Sequence, residues 1–141
     1  MMRRVALLTG LLVAIAVLIW LRDPSWLAGM ESGFGAWAVD ADGTRYRWTA
    51  GRASFFVPAD ASEVRIPLRV PVQPGDWPVI VSVTLDGRPS DQLRIASDEW
   101  HASRLRLPPR GSRRFRRIDI HVDRTRQDDR GVQVGEVKVA R

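Results

Sequence analysis

One stretch constrains this chain more than any other: Val5–Leu21 runs for 17 residues without a charge. Only Thr9 and Gly10 interrupt its apolar character. At about 1.5 Å per residue a helix of this length spans roughly 25 Å, the short end of what crosses a bilayer. Arg3 and Arg4 precede the run, so the positive-inside rule puts the N-terminus in the cytoplasm. Trp20 and Trp26 suit the far interface, where Arg22 can snorkel. The competing reading is a cleaved signal peptide. The charged start and apolar run fit it, but no A-x-A follows, and Leu27-Ala28-Gly29 is the nearest small-residue site. An uncleaved anchor is therefore expected, and either reading puts the rest of the chain outside the cytoplasm. Ala6, Gly10 and Ala14, spaced four apart, line one helix face of the kind that lets two membrane helices approach closely.

The remainder must build its own core. At 141 residues there is length for one compact domain beside the helix. There is no cysteine, which excludes disulfides and thiolate-held clusters. Lys138 is the sole lysine among 22 basic residues. Setting aside Arg3, Arg4, Arg22 and Asp23 leaves 19 positive and 15 negative residues. This mild excess suits an anionic membrane surface or glycan. It falls short of a nucleic-acid binder, and no nucleic-acid partner is expected.

Beyond residue 35 no helical periodicity appears. Short runs of period two are separated by turn signals, as in a two-sheet sandwich. The expected strands are Ala36–Val39, Thr44–Thr49, Ala53–Val57, Glu63–Val70, Val79–Leu85, Asp91–Ile95, Trp100–Leu107, Phe115–Val122 and Val132–Val139. In the second, Tyr46 and Trp48 share one face and Arg45 and Arg47 the other, which reads as Trp48 inward. Pro67 lacks a ladder donor, which predicts an edge or a bulge. The apolar parity of the last run changes near Gly135, which predicts a bulge there. The fold class is an all-β, jelly-roll-like antiparallel β-sandwich of about eight or nine strands after one N-terminal transmembrane helix. The expected boundaries are a cytoplasmic start at 1–4, a signal-anchor at 5–21, a linker at 22–35 and an extracytoplasmic β domain at 36–141.

The order of motifs adds a resemblance. Tyr46-Arg47-Trp48-Thr49 is followed by Val81–Gly87, then by Trp100 before Arg104–Pro108. Arg117–Val122, Asp128–Val132 and Gly135-Glu136-Val137 close the series. From about Gly33 to Val139 this resembles extracytoplasmic β-sandwich domains of bacterial membrane proteins, including those appended to polytopic glycosyltransferases. The resemblance implies the fold, an envelope setting and association with glycan; it carries no catalytic residues.

Chemistry-bearing constellations are few. Trp37, Trp48, Trp77 and Trp100 are the aromatic residues able to stack on sugar rings or to plug a core. Trp77 lies in a Pro/Gly-rich connector, and Trp100, on an unbroken strand, shares a face with Arg104 and Arg106. Arg104–Arg117 holds seven arginines in fourteen residues. Guanidinium forks pair with phosphate and carboxylate, although a solvated loop paired to Asp119, Asp123, Asp128 and Asp129 would look the same. Asp40-Ala41-Asp42-Gly43 opens like a calcium loop but lacks the later ligands, so it reads as a turn. His101 and His121 have no zinc spacing. No nucleophile or phosphate-loop motif occurs, so neither an enzyme nor a cofactor is expected. The candidate ligand residues are Trp77, Trp100, Arg104, Arg106, Arg113 and Arg114; the candidate helix-packing residues are Ala6, Gly10 and Ala14. The leading expectation is a non-enzymatic binding or accessory module of the inner membrane, its domain periplasmic or extracellular, contacting glycan, anionic glycolipid or a polytopic membrane protein. The alternative is a structural subunit packed into a membrane complex through its helix. A minor hydrolase is the third class.

Overall fold

A computed structural model describes residues 2–21, 23–71, 78–109, 111, 113–126 and 128–141, with the side chains of the first helix described from Ala6 to Leu18. Trp77, Arg22 and Arg110 lie outside the described residues, as do the side chains of Arg3, Arg4 and Trp20.

The apolar run forms helix α1, Met2–Leu21. Every described side chain on it is exposed, including Leu7, Leu11 and Leu18. Among the described residues no helix is long and apolar enough to cross a membrane. The structure thus supplies the helix expected over 5–21, and the transmembrane crossing expected of it is not shown. A short 3-10 helix, Ser25–Gly29, follows.

Among the described residues nine antiparallel strands follow: β1 (Glu31–Val39), β2 (Arg45–Pro58), β3 (Glu63–Arg69), β4 (Val79–Leu85), β5 (Arg88–Ile95), β6 (His101–Arg106), β7 (Phe115–Val122), β8 (Gln133–Gly135) and β9 (Lys138–Ala140). The hydrogen-bonded order is β5-β4-β7-β2-β8-β3-β6, with β1 on β2 and β9 on β3. β2 belongs to both layers: residues 52–58 pair with β7 and residues 46–48 with β8. Alternate residues of the two layers meet in one core. Val64, Ile66 and Leu68 of β3 face Val81 and Val83 of β4 and Ile118 and Ile120 of β7, all fully buried. Burying each such side chain stabilises the fold by about 1.5–3 kcal/mol.

Three differences from the sequence reading have physical causes. First, β1 starts at Glu31, inside the stretch read as linker, because Glu31 and Ser32 pair with Phe55 and Ser54. Second, the runs read as Thr44–Thr49 and Ala53–Val57 are one strand. Ala53, Phe55 and Val57 are buried, and the same parity carries Arg47 and Thr49 inward. Trp48, expected in the core, is consequently turned to the outer face and half-buried. Third, the last run breaks into β8 and β9 at Glu136–Val137. Pro67 sits level with that break: Arg65 pairs with Lys138 and Leu68 with Val134. A proline with no N–H to donate is accommodated where the neighbouring strand is interrupted.

Candidate functional site

The outer face of the β2–β8–β3 layer collects aromatic rings and guanidiniums. Register puts Trp48 beside Gln133, and Gln133 beside Arg69. At one end Arg69 lies over Trp100 at 4.7 Å and over Tyr46 at 5.8 Å from the ring centroids. The Arg69 Nε donates to Gln133 Oε1 (2.8 Å), and Nη2 to Asp40 Oδ2 (2.5 Å). With the Ala41 N–H, Arg69 holds the Asp40 carboxyl below its ordinary value. The Asp40-Ala41-Asp42-Gly43 segment is a closed turn, with Gly43 N–H donating to Asp40 O and Asp40 N–H to Thr44 O. No group of residues able to hold a metal occurs among the described residues. Trp100 packs on the Gly135 backbone and is half-buried beneath this cluster, with its indole N–H buried and unpartnered. It faces Arg69, and the unshifted β3–β6 register keeps Arg104 and Arg106 further along the same face.

At the other end Trp48 lines a hollow of about 480 Å³. Gly33, Gly35, Ala36 and Ala50 leave one side open because none carries a large side chain. Asp129 and Arg130 form the opposite wall. Their loop is pinned to β2: Gly131 N–H donates to Thr49 O (2.7 Å), Thr49 N–H to Val132 O (2.8 Å) and Val132 N–H to the Thr49 hydroxyl (3.0 Å). Asp129 adopts a left-handed backbone, φ 60°, a conformation costly outside glycine and concentrated at binding sites. Arg130 pairs with Asp128 (3.0 Å) and lies 5.5 Å from the Trp48 ring centroid, with Arg126 at 5.8 Å. The hollow thus offers an indole, a carboxylate and a guanidinium. A pyranose has a complementary surface: an apolar C–H face for the ring and hydroxyls for the charged groups.

A second aromatic–arginine cluster is structural. Arg47 is buried, its two Nη atoms on the two Glu31 oxygens (2.5 and 2.7 Å), with its guanidinium 3.9 Å from the Phe34 ring and 4.7 Å from Trp37. The Arg47 hydrogen bonds hold the Glu31 carboxyl below its ordinary value, against the opposing effect of partial burial. Trp37, exposed on its other side, also carries Arg45 at 5.0 Å.

The arginine-rich segment divides. Arg106 and Arg113 line a cavity of about 880 Å³ beside the β4–β5 turn. Arg104 is on the exposed face of β6, in register with Arg65. The Arg114 N–H donates to Asp23 (3.0 Å). Ala6, Gly10 and Ala14 are exposed on α1, and a Cβ at Gly10 would meet nothing within 4 Å. Of the predicted ligand residues that are described, Arg106 and Arg113 come together in the cavity beside the β4–β5 turn. Asp129 and Arg130 were not predicted, and Trp48, one of the four stacking candidates, was read as core; the inward parity of Ala53–Val57, extended through Gly51, is the signal that turns Trp48 outward.

No protein-family model matches the chain, and no curated protein does. Solved structures match in fold. The C-terminal domain of EclA, a sugar-binding protein, aligns with a TM-score of 0.50 at 19% identity, over 82% of this chain and 89% of that one. A family two carbohydrate esterase from Cellvibrio japonicus aligns with a TM-score of 0.50 at 13% identity, over 79% of this chain and 31% of the esterase. The CBM36-1 domain of a multidomain xylanase from the hindgut metagenome of Trinervitermes trinervoides gives 0.47 at 11% identity, over 79% and 98%. The chain spans about a third of the esterases it matches, 31% of one and 33% of another from Clostridium thermocellum. At such identities the likeness shows the antiparallel β-sandwich fold.

Proposed function

We propose that the chain is a non-catalytic, membrane-tethered glycan-binding module of the cell envelope. The observation that carries this reading is the Trp48 hollow, an indole bordered by Asp129 and Arg130, with Phe34, Thr49 and four glycine or alanine residues completing the lining. The fold supports it, because the sugar-binding EclA domain aligns over most of both chains. In this reading the apolar helix tethers the domain, with Arg3 and Arg4 on the cytoplasmic side and the sandwich periplasmic or extracellular. The full chain in detergent, applied to a glycan array, is expected to retain a defined set of oligosaccharides. Trp48→Ala removes one ring face of contact, about 2 kcal/mol or roughly 30-fold in affinity. Equal retention by the variant, or no retention by the native chain, would sink the proposal.

A second reading has its own observation, the open face at Ala6, Gly10 and Ala14. In it the helix packs against a polytopic membrane protein, such as a glycosyltransferase, and the sandwich is its accessory domain. Gly10→Leu is then expected to abolish co-purification of a stoichiometric membrane partner, whereas purification as a lone monomer counts against it.

A further inference from the structure

We infer that the cavity beside the β4–β5 turn is a binding site for a phosphate group, separate from the Trp48 hollow and independent of the glycan reading. Separate segments bring guanidiniums to it: Arg88 from β5, Arg106 from the end of β6, Arg113 from the approach to β7, and Arg116 and Arg117 from β7 itself. Two of the five are neutralised. Arg116 Nε pairs with Asp86 (2.5 Å) and Arg117 Nε with Asp119 (2.7 Å). Asp86 also accepts from the Arg117 N–H (2.9 Å), so its carboxylate ties the turn to β7 and is not available to the remaining arginines. Arg88, Arg106 and Arg113 have no acidic partner among the described residues.

Guanidiniums do not lose their proton in a protein, so this excess positive charge is relieved only by solvent or by an anion. The geometry favours a phosphate. A carboxylate is planar and is satisfied by one fork, whereas a phosphate accepts on several oxygens from several directions, as three arginines on three segments require. The cavity also lies next to the exit of α1. Asp23, two residues after the helix, accepts from the Arg114 and Phe115 N–H groups (3.0 and 3.3 Å), adjoining Arg113 and Arg116. A lipid headgroup and free phosphate are thus the two sources of the same chemistry.

The test uses the full chain in uncharged detergent. Its thermal unfolding midpoint is followed against inorganic phosphate, with chloride holding the ionic strength constant. Phosphate is expected to raise the midpoint. Replacing Arg88, Arg106 and Arg113 together by glutamine is expected to weaken phosphate binding by about tenfold or more. If that variant does not fold, Arg113→Gln alone carries the comparison, again with about a tenfold loss. A midpoint that rises no more with phosphate than with chloride, or equally in the variant, overturns the site. A short-chain phosphatidic acid binding more tightly than inorganic phosphate identifies the lipid source, and equal binding identifies free phosphate. Trp48→Ala leaves the phosphate response intact, so the two sites fail or survive separately.

Discussion

Arg47 is the residue on which the first strand pair turns. Its parity in β2 forces a guanidinium inward, and the fold answers with the Glu31 carboxylate on one side and the Phe34 ring on the other. Removing one partner of a buried pair typically costs about 3–5 kcal/mol. Glu31 keeps 45% of its side chain exposed, so Glu31→Gln is expected to cost about 2 kcal/mol at neutral pH, read by chemical denaturation. The Glu31 carboxyl is lowered in the folded state, so its contribution is complete above the unfolded value and is lost as pH falls through the folded one. The stability of the native chain should therefore decline below about pH 5, and the Glu31→Gln chain should show a shallower decline. Equal acid slopes would refute this role. Nothing in the Tyr46-Arg47-Trp48 alternation discloses the arrangement. Apolar Tyr46 and Trp48 outbid Arg47 for the core on hydrophobicity, and only the inward commitment of Ala53–Val57 in the same strand decides otherwise.

At the scale of elements, β1 and β2 are the hinge of the architecture, since β2 serves both layers. The pairing shifts between Ser32 and Phe34, from Ser54 to Thr49 on the partner. Gly33 sits at that shift with φ 74°, and a Cβ there would stand 2.0 Å from the Arg52 carbonyl oxygen. Gly33→Ala is therefore expected to lower stability by more than about 2 kcal/mol, visible as a drop in unfolding midpoint. A change within a few tenths of a kcal/mol would mean that β1 can pair without this kink. Strands with strict alternation were legible: β4 and β7 match their expected limits, with Ile118, Ile120 and Val122 inward. An irregularity near Gly135 was legible from the parity change, although it splits the run into β8 and β9 where a bulge was expected. The fusion of two expected strands into β2 was not legible. Ala50-Gly51 reads locally as a break, and its two flanks are held by β8 and β7, residues far along the chain.

At the scale of the molecule, the sandwich carries two chemically different surfaces. One is the Trp48 hollow, walled by a loop pinned to β2. The other is the arginine cavity at the end where the helix joins the domain. The second was partly legible, because arginine density needs no fold to be noticed; which members converge depended on the turn and β7. The first was hidden, because a small-residue surface beside an indole exists only after β1 pairs with β2. The central claim is that a sugar ring rests on Trp48. Its most direct measurement is the indole N–H spectrum of the ¹⁵N-labelled full chain in detergent, with Trp48→Phe assigning the resonance, titrated with an oligosaccharide retained on the array. The Trp48 signal is expected to shift in proportion to occupancy while the Trp37 and Trp100 signals stay in place. A saturating titration that moves Trp37 or Trp100 and leaves Trp48 unmoved would contradict it.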